Sequence, residues 1–327
     1  MRLGIILSNA ASCTSTQSTV HIAAAATAAG HLVRIFEPWD FEIDPAGRVR
    51  GRAHMLDAPA SAESIAASLS NRGLPRLSVE VDRLDVLLLR ANPLSEVVLT
   101  FAQLAAAAGV RVYNDPRGLV CTSHKAWLAT LPGVSRPRSV VTRSRATITC
   151  FASECRHGVV VKPARACGGR GVTIALGNQA RCLDDAIQLA SRHGDGYLVV
   201  QEYLPAAFSG ERRLLWLDGQ LVGGYLRQRA PGELRHNLRQ GASPAPWILG
   251  PEDHAVVEPL IEPLRDNGIW FAGIDVIGGA VVEVNTLNPG GLHYASHFSG
   301  LSLADQLVRR LEARLIFPPS RTVVPAA

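Results

Sequence analysis

Cysteine is scarce and unpaired in this sequence. Cys13, Cys121, Cys150, Cys155, Cys167 and Cys182 fall at irregular spacings with no C-x-x-C pair, which excludes a zinc ribbon and gives no disulfide framework. The thiols read as reduced and mostly buried. Long apolar runs are missing too. The opening MRLGIILSNAAS holds one arginine and an apolar stretch too short to span a bilayer, without a signal-peptide cleavage pattern. The chain reads as cytoplasmic, with no membrane partner. Aromatic residues make up only 6% and no basic run reaches five residues, so the net charge of +5 points away from nucleic acid and towards small anionic ligands. There is no repeat of fixed period, no Walker A loop, no G-x-G-x-x-G and no H-E-x-x-H. No Ser-His-Asp or Cys-His arrangement is visible.

What is present is 327 residues, 47% hydrophobic and 19% charged, enough to bury the cores of two or three domains. LGIILS (3–8), LVRIFE (32–37), DVLLLR (85–90) and VRVYN (110–114) read as strands, and the Ala-rich stretches 20–30 and 95–108 read as helices. The alternation predicts an α/β layer with a largely parallel sheet, and residues 44–82 read as an excursion or surface loop. A helix over 122–131 stops at Pro132, and a boundary falls near 120. Beyond it come strands at 139–143, 158–164, 171–176 and 197–204, with helices near 146–156 and 179–193. A hairpin over 211–229 turns at Asp218 and Gly219, and a second over 270–286 turns at Gly278 and Gly279. A polar loop and a helix near 252–267 lie between them, and a helix near 302–315 closes the chain. The domains expected are 1–120, 121–200 and 201–327.

Four patterns could carry chemistry. VVVKPARACGGRGV puts Lys162 at the end of an apolar strand, before Gly168, Gly169 and Gly171. Glycines let backbone N–H groups approach a polyphosphate while the lysine adds a point charge. A glycine-rich turn with an exposed lysine is the other reading. VVQEYLP ends a strand in Gln201, Glu202, Tyr203 and Leu204, which could offer backbone groups to the edge of a planar heterocycle or simply end at Pro205. In FAGIDVIGGAVVEVNT the turn brings Asp275 near 282–283, while Glu283 and Asn285 share a face. Two carboxylates and an amide then suit a hard cation bridging phosphates, where the alternative is a solvated hairpin. Arg213, Arg227, Arg235 and Asn237 could neutralise phosphate or a substrate carboxylate, or be surface groups. His293 and His297, four apart, read as helix-surface residues or residues behind the metal ligands.

These elements, in this order, resemble the ATP-grasp superfamily and specifically the bacterial glutathione synthetase family. The resemblance rests on Lys125 in SHKAWLATL, Lys162 in VVVKP with CGGRGV, VVQEYLPA, GERRLLWLDGQLV, LRHNL, and FAGIDVIGG followed by VEVN. It implies an ATP-grasp fold preceded by a Rossmann-like α/β domain. It further implies that Lys125 and Lys162 hold the ATP phosphates under the loop of Gly168, Gly169 and Gly171. The backbone around Glu202, Tyr203 and Leu204 would read the adenine, with Gln201 also in the ATP site, and Glu211 would hold the ribose. Asp275, Glu283 and Asn285 would bind magnesium, with manganese as an alternative, and Arg213 would sit with Lys162 at the transferred phosphoryl.

The implied reaction is amide formation through an acyl phosphate, joining γ-glutamylcysteine to glycine. The alternatives are a ligase of other amino acids or small peptides in a specialised pathway, an ATP-grasp kinase, and a regulatory nucleotide-binding protein. The resemblance also implies a homo-oligomer, dimer or tetramer. The acid substrate would meet Arg90, Asn92, Arg227, Arg235, Asn237, Asn288, Gly290 and Gly291. Here RANPLSE keeps Arg90 and Pro93 of the family's Arg-Lys-Asp-Pro-Pro, while Ala91 and Asn92 remove a charge of each sign. TLNPGGL stands where the family tends to read Thr-Ser-Pro-Thr, and forms a turn suited to a carboxylate before a helix N-terminus. Ala166 stiffens the phosphate loop.

Overall fold

The computed structural model describes residues 1–165, 168–177 and 180–317. Ala166, Cys167 and Gln179 lie outside them. The chain divides into two compact units, one of Met1–Leu89, Ser95–Val112 and the chain from Ser302, the other of Arg90–Leu94 and Tyr113–Leu301.

The first unit holds β1 (Arg2–Leu7), α1 (Ser18–Ala28), β2 (Leu32–Phe36), β3 (Phe41–Ile43), β4 (Val49–Leu56), α2 (Ala62–Ser70), β5 (Arg76–Glu80), β6 (Val86–Arg90), α3 (Glu96–Ala107) and β7 (Arg111–Tyr113), the last residues of β6 and β7 passing into the second unit. Its sheet runs β3-β4-β2-β1-β6-β7, with β5 on β4. The central strands β1 and β6 are unbroken apolar runs because both faces are covered. β1 and β2 are parallel, in the register Ile5↔Ile35.

The stretch 44–82, expected as a loop, is instead β4, α2 and β5, and β4 pairs antiparallel with β2, β3 and β5. β4 was hidden by its composition: Arg50, Arg52 and His54 alternate with Gly51 and Ala53, and Gly51 leaves room for the Phe36 ring. Ser61 and Ser95 cap α2 and α3 by accepting from the backbone N–H of Ser64 and Val98.

The second unit begins with α4 (Pro116–Thr122) and α5 (Ala126–Thr130). The single helix expected over 122–131 is broken at Ser123–Lys125, where Ala126 N–H donates to His124 Nδ1 at 3.2 Å. Then come β8 (Ser139–Thr142), α6 (Arg145–Ser153), β9 (Val159–Pro163), β10 (Thr173–Ala175), α7 (Ala180–Ser191) and β11 (Leu198–Glu202). These four strands form an antiparallel sheet in the order β10-β9-β11-β8. Ile148, Phe151, Val161, Ile187 and Val200 fill the core on one face of it.

A five-stranded antiparallel sheet follows, from β12 (Glu211–Leu217), β13 (Gln220–Gln228), β14 (Ser243–Ala245), β15 (Phe271–Ile277) and β16 (Ala280–Asn285), in the order β14-β13-β12-β15-β16. α8 (Pro251–Asp266) leads into β15, and α9 (Leu292–Ser299) follows β16. β14 lies in the stretch expected as a polar loop; its Ser-Pro-Ala sequence suits an edge strand. α10 (Leu303–Ile316) returns to the first unit, where His31 Nε2 lies 2.7 Å from Glu312. Among the described cysteines Cys13 and Cys155 are buried, but Cys121, Cys150 and Cys182 are exposed, against the expectation of mostly buried thiols. Among the described residues no helix is long and apolar enough to cross a membrane.

One buried amide fixes the base of the five-stranded sheet. Asn114 Nδ2 donates to the carbonyls of Phe271 and Thr286 at 2.8 and 2.7 Å, and Oδ1 accepts from the N–H groups of Trp270 and Phe271 at 2.7 and 2.8 Å. Replacing it by alanine would leave those groups buried without partners. We expect Asn114→Ala to cost about 3–5 kcal/mol, read as a lower denaturant midpoint by tryptophan fluorescence.

Candidate active site

The two antiparallel sheets of the second unit face each other across a cleft of about 810 Å³, open solvent at its mouth included. Val160 on β9, Ile174 on β10, and Ile277 and Val282 on the β15–β16 hairpin give it apolar walls. Its other end is charged. Lys125 comes from the break between α4 and α5, Lys162 from β9, Glu211 from β12, Asp275 from β15 and Glu283 from β16.

The hairpin register does the gathering. Asp275 lies directly opposite Glu283, and Gly273 opposite Asn285, with a bulge after Asp275. Across β12, Arg213 stands opposite Asp275. Its guanidinium grips that carboxylate in two places, Nε to Oδ1 at 2.5 Å and the second terminal nitrogen to Oδ2 at 2.8 Å. Its remaining nitrogen donates to the Gly290 carbonyl at 3.2 Å. Gly273 has no side chain because a Cβ there would lie 2.7 Å from Arg213. Asn285 Nδ2 donates to Asp275 Oδ2 at 3.1 Å, and Lys125 Nζ lies 3.2 Å from Glu283. Arg227 donates to Glu211 at 2.7 Å and lies 3.4 Å from Asp275.

Four cations (Lys125, Lys162, Arg213, Arg227) and three carboxylates (Glu211, Asp275, Glu283) therefore share one partly dry site, and the charges shift one another. Burial would raise the Asp275 carboxyl, but Arg213 and Arg227 overcome it and hold it below the ordinary range. Glu211 goes the other way. Its burial, reinforced by the Asp275 charge, pushes its carboxyl up to about 7 against the pull of Arg227. Burial also lowers the Lys162 ammonium, which donates to the Val282 carbonyl at 3.4 Å.

The glycine loop closes one side. Gly168 and Gly169 line the cleft with φ of +66° and +74°, a backbone region that favours glycine. A Cβ on Gly169 would press into the Asn237 amide. Arg235, fixed by Glu233 through Nε at 3.0 Å and a terminal nitrogen at 2.7 Å, reaches the Gly169 carbonyl at 3.4 Å. Arg235 and Asn237 thus lie in the cleft beside this loop, while Gly171 packs against His193 and Pro163 instead of lining it. Gln201, Glu202, Tyr203 and Leu204 all line the cleft. The N–H groups of Glu202 and Tyr203 are engaged by the carbonyls of Arg138 and Gly158, both at 2.9 Å.

A second cavity, of about 890 Å³ measured the same way, shares Lys125, Arg170 and Glu283 with the first. Asn92, Asn285 and Asn288 line it, with Arg165 on the far side of the loop sequence. Arg90 does not line it. It is buried, its guanidinium 5.4 Å from the Phe271 ring and donating to the Pro289 carbonyl at 2.9 Å. Gly290 and Gly291 follow in the same turn, and Gly291 takes φ of +118° beside the Tyr225 ring. His293 and His297 lie on α9 against Tyr294 and Phe298.

Two protein-family models match this chain. The model of the prokaryotic glutathione synthetase N-terminal domain matches residues 1–119, and that of the prokaryotic glutathione synthetase ATP-grasp domain matches 124–299. The chain belongs to the prokaryotic glutathione synthetase family. It is a glutathione synthetase-like member of the ATP-grasp ligases, a group that uses ATP and a divalent metal. The glutathione synthetase of Prochlorococcus marinus (strain MIT 9313) is 32% identical over 209 residues, 64% of this chain and 67% of that protein. That of Synechococcus elongatus (strain ATCC 33912 / PCC 7942 / FACHB-805) is 31% identical over 203 residues, 62% of each chain, so the match spans less than two thirds of it. The crystal structure of D-cycloserine synthetase DcsG superposes with a TM-score of 0.68 at 15% identity, covering 96% of this chain and 99% of that one, which speaks for the ATP-grasp fold alone.

Sequence reading missed the apolar wall of Val160, Ile174, Ile277 and Val282, although the strand alternation that exposes those side chains was available. It also missed Arg165 and Arg170, which carry no signal beyond their place in the glycine loop. His236 was overlooked as well; it lines the cleft, buried, with Nε2 2.9 Å from the Ala207 carbonyl. Removing Arg213 would leave Asp275 without its bidentate partner. Arg213→Ala is expected to lower the stability of the metal-free protein by about 3–5 kcal/mol, measured by thermal or denaturant unfolding.

Proposed function

We propose that this member of the prokaryotic glutathione synthetase family is a cytoplasmic enzyme joining γ-glutamylcysteine to glycine with ATP and Mg²⁺. The observation that carries the reading is the convergence of Lys125, Lys162, Arg213, Asp275 and Glu283 at the charged end of a cleft whose other end is apolar. A nucleotide has that polarity, a flat apolar base and an anionic tail.

On this reading the base packs between Val160, Ile174, Leu204 and Ile277 and meets carbonyl groups at the end of β11. Glu211 takes the ribose. Lys125 and Lys162 neutralise the phosphates, and Gly168 and Gly169 bring backbone N–H groups over them. The carboxylate oxygen of the acid substrate attacks the γ-phosphorus and ADP leaves, giving an acyl phosphate. Arg213 stabilises the charge on the oxygens of that group. The amine, having lost a proton, then attacks the acyl carbon, and the C–O bond to phosphate breaks. Closure of the glycine loop keeps water from the acyl phosphate.

The donor set suits a hard divalent ion: Asp275 and Glu283 oppose each other, and Asn285 needs only a turn of its amide to present oxygen beside them. When bound, the ion supplies charge neutralisation at the β- and γ-phosphates. We propose 1–120 as the preceding α/β domain, with 121–200 and 201–327 as the two ATP-grasp subdomains, except that α10 belongs to the first compact unit.

A second reading, ligation of a different acid, draws support from the second cavity. Neutral Asn92 lines it where the Arg-Lys-Asp-Pro-Pro pattern of the resembled family has an aspartate, and Asn288 shares the cavity with Arg165 and Arg170. Incubation with ATP, Mg²⁺, glycine and γ-glutamylcysteine or other small acids separates the two. Equal amounts of ADP, phosphate and the tripeptide are expected; a phosphorylated acid with no free phosphate would sink the ligase reading in favour of a kinase. Glu283→Gln is expected to lower kcat at least about a hundredfold. In Arg213→Ala, millimolar Mg²⁺ should recover part of the lost melting temperature, because a cation then faces Asp275 again; no shift would count against Asp275 as a ligand.

A further inference from the structure

The outermost strand of the first unit's sheet has one side without a neighbour. Among the described residues β5 pairs with β4 alone. Its sequence is Arg76-Leu77-Ser78-Val79-Glu80, and Leu77 is 56% exposed, with Ser78 exposed beside it. Edges of this kind are commonly guarded by like charges, proline or a bulge, any of which repels another strand. Here the two guards have opposite sign and stand at equal distances from Ser78. Turned end over end about Ser78, the strand meets its own copy with Arg76 opposite Glu80, Leu77 opposite Val79 and Ser78 opposite itself.

The faces agree with that pairing. Residues opposite one another in an antiparallel pair lie on the same face. Arg76, Ser78 and Glu80 are in register with His54, Arg52 and Arg50 of β4, whereas Leu77 and Val79 are in register with the buried Ala53 and Gly51. A second copy would continue the apolar face with two Leu–Val contacts and the polar face with two ion pairs. Like charges at these two positions would have repelled at both ends.

We propose that β5 is a self-recognition edge, through which two copies of this chain pair antiparallel about a two-fold axis at Ser78 and join their sheets. Each end of the contact then carries a chain of alternating charge. Arg76 already contacts Asp40, and Glu80 accepts from Arg48 at 3.3 Å and lies 2.5 Å from Arg83 Nε. In the dimer Arg76 of one protomer lies between its own Asp40 and its partner's Glu80. Five residues a side give less than the roughly 1,600 Å² of a standard interface, so the association is concentration-dependent.

The test uses the full chain. Opposed Cα atoms in an antiparallel pair lie about 4.5–5.5 Å apart, within reach of a disulfide. Ser78→Cys is expected to form an intermolecular disulfide through position 78 on mild oxidation, identified by mass spectrometry of the crosslinked peptide. Leu77→Cys, whose position faces 79, should crosslink at least about fivefold less. In sedimentation velocity, Glu80→Arg should weaken dimerisation about tenfold, and Arg76→Glu with Glu80→Arg should restore it to within about threefold. Leu77→Lys gives the same loss without touching the Arg76–Asp40 contact. A chain monomeric up to about 100 μM overturns the proposal. So does a dimer indifferent to Glu80→Arg and Leu77→Lys, which would lie on another surface, and so does position 78 crosslinking no better than position 77.

Discussion

The bidentate pair between Arg213 and Asp275 is the contact on which the charged end of the cleft depends. Asp275 sits in an all-buried strand, and a lone carboxylate there would be neutral or would disrupt the sheet. Arg213 keeps it ionised. That charge in turn raises Glu211 and favours Arg227, while the third nitrogen of Arg213 reaches the carbonyl of Gly290. One ion pair therefore fixes a strand register, a set of protonation states and the position of a turn.

Much of this was legible in the sequence. The turns at Asp218-Gly219 and Gly278-Gly279 set the registers of both hairpins, and a two-residue turn leaves little freedom in which residues oppose. That count sets Asp275 opposite Val282, and the bulge after Asp275 moves its partner to Glu283. Lys162 at the end of an apolar strand, with glycines after it, was equally readable. The strands of the first unit's core announced themselves because a strand covered on both faces needs a continuous apolar run.

What was not legible depends on contacts distant in sequence. β4 carries Arg50, Arg52 and His54 on one face and β5 carries Arg76, Ser78 and Glu80, so their hydrophobicity looks like that of a loop; only the pairing of β4 with β2 and of β5 with β4 makes them strands. Arg90 reads as a substrate arginine at the end of a strand, yet it lies buried on Phe271 and Pro289, a placement set by a turn some 200 residues later, Arg90 to Pro289 being 199 apart. Arg235 and Asn237 were read as substrate groups and lie against the glycine loop, because Gly169 has no side chain to keep Asn237 away. Local pattern gives the elements. It does not give which side chain of a long polar stretch meets which loop.

The break between α4 and α5 has a thermodynamic consequence. It places Lys125 on the boundary of both cavities, with its ammonium 3.2 Å from Glu283. A single ammonium cannot satisfy an anion in each cavity and Glu283 at full strength. Occupancy of one cavity therefore changes the free energy of filling the other, and by linkage the effect is equal in both directions. The three-residue gap makes a coupling free energy between two ligands, the same whichever arrives first, a property of the fold.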